Sequence, residues 1–196
     1  MLDRIGGEVA RATSIVRYAP NSHFPAHVHT GGEEFLVLDG VFQDEHGDFP
    51  AGSYVRNPPT SSHTPGSEPG CTIFVKLWQF DPSDRHQMTI DTNAGSFEAA
   101  AGETGVRLLP LYTDDHEDVR MELWDAGTAV NRSVEGGLEL LVLDGSLIEG
   151  GDTLVAQSWL RLPIGAQFSA TAGSDGCRIW IKAGHLANPP AAPSAG

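Results

Sequence analysis

Glu34-Phe-Leu-Val-Leu-Asp-Gly40 recurs 105 residues later as Glu139-Leu-Leu-Val-Leu-Asp-Gly145. Two more blocks recur in the same order: Ser53-Tyr-Val-Arg-Asn-Pro58 as Ser158-Trp-Leu-Arg-Leu-Pro163, and Gly70-Cys-Thr-Ile-Phe-Val-Lys76 as Gly176-Cys-Arg-Ile-Trp-Ile-Lys182. Three blocks in one order indicate an internal repeat, and a repeat constrains the fold more than any local pattern does. The chain is therefore interpreted as two copies of one unit, at residues 1–95 and 96–187, followed by a flexible tail at 188–196.

Each copy consists of short apolar runs separated by turn residues. Residues 35–38 are apolar and end at Asp39-Gly40, a strong turn signal, while residues 53–55 are followed by Pro58-Pro59. The chain contains 23 glycines and 13 prolines, and no stretch keeps a long helical period. These features predict an all-β fold, either a sandwich or a barrel. In the linker between the copies, residues 87–92 are predicted to form a strand that pairs with the other copy.

The charge of the chain excludes some classes of partner. Its 26 acidic and 12 basic residues give a formal net charge of −14. Binding to nucleic acid or to anionic lipid needs a basic surface, so neither is expected. No apolar run reaches the length of a membrane span, and the N-terminus lacks an apolar signal segment. The sequence therefore predicts a soluble, cytoplasmic protein, in which Cys71 and Cys177 are small buried hydrophobes.

Four candidate metal ligands lie in the first copy. His27 and His29 are two residues apart, so on a strand both imidazoles point to the same face. Gly31-Gly32 then allows a sharp turn, Glu33 opens the next strand, and His63 follows 30 residues later. Three imidazoles and one carboxylate suit first-row divalent metals. Such a set leaves coordination positions open for water, oxygen or substrate.

A bare His-x-His is also typical of exposed loop histidines, which would leave Glu33 and His63 as ordinary surface residues. The complete pattern favours one divalent ion per chain, held by His27, His29, Glu33 and His63, with Fe(II) or Zn expected first and Mn or Ni as alternatives. The other loop histidines are predicted to be solvated: His23, His46, His86 and His116.

These landmarks resemble the cupin superfamily. Its first motif is matched by His27, His29, Glu33 and Gly40, with Asn21 in place of the opening glycine. Its second motif is matched by Gly52, Pro58 and His63, with Thr60 and Ser67 in place of a glycine and an asparagine. The resemblance implies a bicupin, in which one chain forms two double-stranded β-helix (jelly-roll) barrels. The spacing to Gly40 selects Glu33 as the ligand, and Glu34 is expected to face the other side of the strand.

Within the cupins, the chain is most similar to the ChrR-like group, whose namesake is a bacterial anti-sigma factor with a zinc-binding cupin domain. The segments that carry this likeness are Phe24-Pro-Ala-His-Val-His-Thr-Gly-Gly-Glu-Glu34, Ala51-Gly-Ser-Tyr-Val-Arg-Asn-Pro-Pro59 and Lys182-Ala-Gly-His-Leu186. The anti-sigma proteins bind their sigma factor through an N-terminal zinc domain. No His-xxx-Cys-xx-Cys segment precedes the first copy here, so a sigma factor is not expected as a partner.

The second copy lacks the candidate ligands. A shift of 105 residues places the four ligand positions on Arg132, Val134, Leu138 and Phe168. The three apolar residues suit a packed interior, and the second copy is predicted to be a degenerate barrel without metal. Arg132 is interpreted as an exposed arginine on a shifted loop, and a buried arginine that binds an anionic ligand is the alternative.

Several residues near the ligands are candidates for a substrate pocket. Phe35, Tyr54 and Phe74 are expected to line the barrel, and they would shape a pocket beside the metal if their side chains reach it. Arg56 and Lys76 recur in the second copy as Arg161 and Lys182, so structural ion pairs are the first interpretation. Orientation of an acidic substrate is the alternative.

Two functions fit this pattern. The first is a small-molecule oxygenase, dioxygenase-like, that uses a divalent metal. The second is a zinc-binding sensor or ligand-binding cupin without turnover, since zinc has no redox chemistry. A small-molecule ligand or substrate is expected in either case, and the oligomeric state is left open between a monomer and a homodimer.

Overall fold

Strands, turns and loops account for the described part of the chain, which comprises residues 1–7, 9–191 and 193 of a computed structural model. The predicted all-β class is confirmed, because none of these residues lies in an α-helix. The described residues include no helix that is long and apolar enough to span a membrane. The chain divides into a first unit, Met1–Ala94 with the described residues from Pro190 onward, and a second unit, Gly95–Pro189.

The predicted flexible tail, residues 188–196, falls partly outside the described residues, which end with 191 and 193. Within the described part, the Arg11 guanidinium donates a hydrogen bond of 3.3 Å to the Pro190 carbonyl.

The first unit is built on an antiparallel sheet in the order β1-β2-β10-β5-β7-β11. A separate two-stranded sheet pairs β4 with β8, and short pairings join β6 to β5 and β9 to β3. The strands are β1 (Asp3–Gly6), β2 (Ala10–Tyr18), β3 (Ser22–His23), β4 (His27–His29), β5 (Glu33–Asp44), β6 (Gly47–Pro50), β7 (Ser53–Asn57), β8 (Ser61–His63), β9 (Gly66–Ser67), β10 (Cys71–Leu77) and β11 (Met88–Asp91).

Alternate residues of β5 define the core of the first unit. Phe35 lies opposite Val55 on one neighbouring strand and Val75 on the other, and all three are buried in one apolar cluster. Glu33 is two residues before Phe35 and therefore points to the same side of the sheet. The pleat thus places the candidate ligand at the end of the apolar core.

The other side of the same sheet holds buried polar groups. Glu34 lies opposite both Arg56 and Lys76, as expected for a residue that alternates with Glu33. The Tyr54 hydroxyl donates a hydrogen bond of 2.7 Å to Glu34. The Arg56 guanidinium lies 2.9 Å from the Asp84 carboxylate. These contacts are those of structural partners, the first interpretation of Arg56.

The second unit has an antiparallel sheet in the order β12-β13-β14-β19-β16-β17, with β15 paired to β19 and β18 to β16. Its strands are β12 (Glu98–Ala99), β13 (Val106–Thr113), β14 (Asp118–Trp124), β15 (Ala129–Val134), β16 (Leu138–Glu149), β17 (Asp152–Val155), β18 (Trp159–Leu162) and β19 (Ala166–Ala183).

The two units share much of one strand plan and differ most clearly in the continuity of one strand. β5 and β16 are both 12 residues long, and β16 begins 105 residues after β5. β19 runs unbroken for 18 residues, whereas the matching stretch of the first unit is divided into β8, β9 and β10. Pro65 and Pro69 lie in the interruptions, where proline withholds the N–H that a continuous ladder needs.

The strand predicted in the linker is present, but the prediction that it pairs with the other copy is wrong. Residues 87–92 do contain a strand, β11, but it pairs with β7 of the same unit, where its partners run from Ser53 to Arg56. The pairing partner depends on contacts that span more than thirty residues, which no local pattern encodes.

A matched pair of glycines lets two chain segments approach closely. Gly40 and Gly145 have φ of 72° and 69°, in the left-handed region that glycine tolerates. A Cβ at Gly40 would lie 2.0 Å from the Gly70 carbonyl oxygen, and one at Gly145 would lie 2.1 Å from that of Gly176. The repeated Asp-Gly pair is therefore required by backbone packing, besides its turn preference.

We expect Gly40→Ala to destabilise the first unit, and Gly145→Ala the second, by about 2 kcal/mol or more, because each adds left-handed strain and a clash with backbone. Urea unfolding measures the change. Gly7→Ala is the control, since no atom lies within 4 Å of its added Cβ. Equal stability of the Gly40 and Gly7 variants would contradict the argument.

Candidate metal centre

The pairing of β4 with β8 brings three histidines together. His27 lies directly opposite His63 in this antiparallel pair, and His29 follows on the same face. The ring centroids are 4.8 Å apart for His27 and His29, 5.1 Å for His27 and His63, and 4.8 Å for His29 and His63. Their ligand atoms lie within 4.8 Å of one another, close enough to hold one metal ion.

Glu33 closes the cluster from the end of β5. Its Oε2 lies 3.3 Å from His29 Nε2 and 3.7 Å from His63 Nε2. The two histidine nitrogens are 2.9 Å apart. Gly32, with φ of 76°, makes the turn that returns the chain from His29 to Glu33. The structure thus brings the three histidines together and places the Glu33 carboxylate beside two of them.

These donors fit a first-row divalent ion. Two nitrogens bound at about 2.1 Å and at a right angle lie about 3.0 Å apart, close to the separation of His29 and His63. Neutral imidazoles and a carboxylate are ligands that zinc and iron accept.

Hydrogen bonds orient two of the rings for such a role. His63 Nδ1 lies 3.1 Å from the Asp44 carboxylate, and His27 Nδ1 lies 3.0 Å from the Pro25 carbonyl. Both partners accept a hydrogen bond, so each Nδ1 carries a proton, and in the neutral ring the lone pair therefore lies on Nε2. Metal-binding histidines commonly have such partners, which fix both tautomer and orientation.

The protonation preferences of the cluster follow from burial. Burial, and then the neighbouring His63 and His27, lower the pKa of His29 to about 3, so this ring is neutral at physiological pH. Burial raises the pKa of Glu33 above its usual value, although His63 and a hydrogen bond of 3.2 Å from the Asn57 amide oppose the shift. Burial acts to lower the pKa of His63, but the Asp44 hydrogen bond and the Glu33 carboxylate outweigh it, so that pKa is raised.

Three contributors to the site were missed from the sequence: Pro25, Asp44 and Asn57. Asp44 lies at the end of β5 before the turn to β6, where an aspartate is expected for its turn preference alone. Nothing in its spacing indicates that it faces His63, 19 residues away. Asn57 lies opposite Glu33 across β5 and β7, a pairing that needs the strand register to be known.

Trp78 packs over the glycine turn beside the ligands. A Cβ on Gly31 would lie 2.2 Å from Cδ2 of the indole, so only glycine permits this contact. The backbone N–H of Trp78 donates a hydrogen bond of 3.1 Å to the Gly32 carbonyl. The backbone of Trp78 has a φ of 59°, which is unusual for a bulky residue. The packed turn holds a strained residue next to the cluster.

A cavity of about 430 Å³ opens beside His27, His29 and Glu33. Its other walls come from β2 and β10 and from Trp78. Of the five predicted pocket residues, Phe35 shares the face of Glu33, next to it in the core. Tyr54, Arg56, Phe74 and Lys76 alternate with the core residues and lie on the opposite side of the sheet. The cavity walls are therefore a different set of residues from the predicted one.

The second unit has a corresponding strand pair, β15 with β19, that carries other side chains. Arg132 lies directly opposite Phe168, as His27 lies opposite His63. Val134, Leu138 and Phe168 are buried in the apolar core. These positions hold no metal-ligating side chain, and they contribute to packing instead.

The interpretation of Arg132 as an exposed arginine is wrong. Its side chain is 17% exposed and pairs with two carboxylates, at 2.9 Å for Glu122 and 2.5 Å for Glu103. The sequence could not reveal these partners, because a buried charge must be paired but its partner can come from any strand. Glu122 is fully buried and also accepts hydrogen bonds of 2.7 Å from Arg120 and from the Trp124 indole.

We expect Asp44→Ala to lower the affinity for a divalent ion about 10- to 100-fold, since His63 loses the partner that orients it. Competition between the protein and a chelator for Zn²⁺ measures the change. Asp48→Ala is the matched control, because Asp48 is exposed in the same hairpin and accepts a hydrogen bond of 2.8 Å from the Gln43 amide. Equal affinities of the two variants would contradict the proposed orientation.

Arg132→Met should destabilise the second unit by about 3 kcal/mol, because it leaves the buried Glu122 without one of its cationic partners. Urea unfolding followed by tryptophan fluorescence measures the loss. Arg107→Met, which removes an exposed pair with Asp125, should cost less than about 1 kcal/mol. A loss at Arg132 no larger than that at Arg107 would show that the network is not stabilising.

Comparisons with known proteins give a family match for part of the chain and several solved structures of similar fold. Residues 1–81 match the family described as the ChrR cupin-like domain. No curated protein sequence matches the chain at a significant level. Among solved structures, a proposed dioxygenase from Nostoc punctiforme superposes with a TM-score of 0.76 at 14% identity, over 95% of this chain and 73% of that one.

Two more solved structures share the fold. A cupin 2 conserved barrel domain protein from Leptotrichia buccalis has a TM-score of 0.63 at 10% identity, over 92% of this chain and 86% of that one. Salicylate 1,2-dioxygenase from Pseudoaminobacter salicylatoxidans, solved with gentisate, has a TM-score of 0.62 at 10% identity, over 89% and 68%. Sequence identities this low show only that the fold is shared. The chain is thus an all-β protein of the cupin fold, and its residues 1–81 match the ChrR cupin-like family.

Proposed function

We propose that the first unit is a metal-dependent, dioxygenase-like oxygenase of a small molecule, with one divalent ion held by His27, His29, Glu33 and His63. The observation that carries the proposal is the cluster of three histidines with Glu33 beside it, of which His27, His29 and Glu33 line a cavity of about 430 Å³. This volume lies in the range of small-molecule sites. The likeness in fold to dioxygenases, one of them solved with gentisate, supports a small-molecule substrate.

The residues of the site would have two roles, as ligands of the ion and as hydrogen-bond partners that position those ligands. His27, His29 and His63 each offer a neutral nitrogen, while Glu33 contributes the negative charge that offsets part of the ion's charge. Asp44 and Asn57 position His63 and Glu33 through hydrogen bonds. The bound ion would supply Lewis acidity in any case and redox chemistry toward dioxygen if it is iron.

The surroundings of the cluster restrict access of water. His29, Glu33 and His63 are buried, whereas His27 is exposed on the cavity side. A ligand that enters the cavity would therefore meet the ion from the side of His27. Exclusion of bulk water strengthens the interaction of charged ligands with the site.

We expect protein purified without added metal to contain about one metal ion per chain, and the His63→Ala variant to contain almost none, because the ion loses a ligand. Elemental mass spectrometry measures the content. His86→Ala is the control, since that side chain is 77% exposed and remote from the cluster in sequence. Unchanged metal content in both the His27→Ala and His63→Ala variants would refute the site.

A second candidate function is a zinc-binding sensor or ligand-binding cupin without turnover. It is favoured by the match of residues 1–81 to the ChrR cupin-like family. The same measurement separates the two functions. Iron would support the oxygenase and lead to oxygen-consumption assays, whereas zinc, which has no redox chemistry, would support the sensor.

A further inference from the structure

A second cavity of the first unit, of about 560 Å³, lies next to the turn that joins β4 to β5. Part of its wall is a C-terminal segment, here called the strap, which consists of Pro190, Ala191 and Pro193. These residues and the other walls all belong to the first unit. Val9, Thr30 and Trp78 line both this cavity and the one beside the histidines. The strap therefore lies close to the candidate metal centre.

The wall that faces the strap suits a proline-rich segment. It is formed largely by the rings of Pro59, Trp78, Phe80 and Pro82, here called the ring-lined surface. Aromatic grooves bind proline-rich segments well, because such segments are extended before they bind and lose little entropy. The strap lies within Asn188-Pro-Pro-Ala-Ala-Pro193, in which half of the residues are proline. The chain thus carries both a ring-lined surface and a segment of the kind that such surfaces bind.

The contacts of the strap are of a kind that opens locally. Residues 189–191 lie outside the strands, and proline lacks the N–H that a strand ladder needs. The Arg11 guanidinium donates a long hydrogen bond of 3.3 Å to the Pro190 carbonyl. The cavity leaves part of the ring-lined surface without contact to the strap. Segments with few buried contacts open at a free energy well below that of global unfolding.

Trp78 connects the strap to the turn between two candidate ligands. Its indole packs on Gly31, and its backbone N–H donates a hydrogen bond to the Gly32 carbonyl. These two glycines form the turn between His29 and Glu33, so separation of the two ligands requires the turn to move. Because Trp78 also lines the cavity under the strap, a bound strap limits the movement of Trp78 and of the turn.

We propose that the ring-lined surface binds the strap reversibly, and that the bound strap slows the uptake and release of the metal ion. The second part of this inference rests on the proposed function, whereas the binding of the strap does not. The ion exchanges while the strap is released, because Trp78 is then free to move away from the glycine turn.

Pro190→Gly combined with Pro193→Gly weakens the strap in the full-length chain, because glycine removes the ring contacts and gives the released segment more conformational freedom. In metal-free protein, acrylamide should quench the tryptophan fluorescence more strongly, since Trp78 loses its cover while Trp124 and Trp180 stay buried. In protein loaded with Zn²⁺, transfer of the ion to an excess of a chromogenic chelator should be about fivefold faster or more. Pro163→Gly, at an exposed proline of the second unit, is the control and should change neither measurement.

A second variant weakens the same contact from the side of β2. Arg11→Met removes the donor to the Pro190 carbonyl and keeps the apolar part of the side chain. Acrylamide quenching should rise, and transfer of Zn²⁺ should be about threefold faster, from the loss of one hydrogen bond. Arg17→Met is the matched control, since Arg17 is exposed on the same face of the same strand.

The outcomes separate this inference from the proposed function. If quenching in the proline variant stays at the level of the Pro163 control, the strap is not bound and the inference is overturned. If quenching rises but Zn²⁺ is transferred at an unchanged rate, control of the ion by the strap is overturned and the metal site stands. If the unaltered protein binds no Zn²⁺, the proposed function fails and control of exchange fails with it, while quenching still decides whether the strap is bound. Stronger quenching together with faster transfer, in both variants and in neither control, supports the inference.

Discussion

Burial of Glu33 is the constraint on which the site depends. An ionised carboxylate that leaves water is costly unless hydrogen bonds or opposite charge compensate it. In this unit the compensation comes from His63 and from the Asn57 amide, which both act against the effect of burial on the Glu33 pKa. A divalent ion would complete it, and the buried carboxylate is therefore as much an argument for the metal as the histidines are.

The second unit also contains a buried carboxylate, but different groups compensate its charge. Its fully buried carboxylate, Glu122, is compensated by two arginines and an indole N–H. Glu33 and Glu122 lie on strands that do not correspond in the repeat, so a single substitution does not convert one arrangement of buried charges into the other. Conversion of one into the other would require changes on several strands at once, because any single change leaves a buried charge without its partner.

Much of this molecule could be predicted from its sequence, for identifiable reasons. The repeat and the alternation along strands are periodic, and they predicted the all-β class and the face that Glu33 shares with the core. The cluster of histidines was predictable because two of its members lie two residues apart and resemble a known motif. Asp44, Asn57 and the partners of Arg132 were not, because each acts across strands whose register no local pattern encodes. The predicted pocket failed to coincide with the cavity walls for a related reason: Tyr54, Arg56 and Lys76 alternate with the inward residues and face the other side.

The separate two-stranded sheet of β4 and β8 has a consequence for how an ion would enter and leave. His27 and His63 are carried by a short ladder outside the main sheet, while Glu33 belongs to the main sheet itself. Opening of a short ladder is a local transition that costs less free energy than global unfolding. Capture and release of an ion would then proceed by exchange between an open and a closed β4–β8 pair, with the rest of the unit left intact. The unbroken β19 of the second unit offers no such independent ladder.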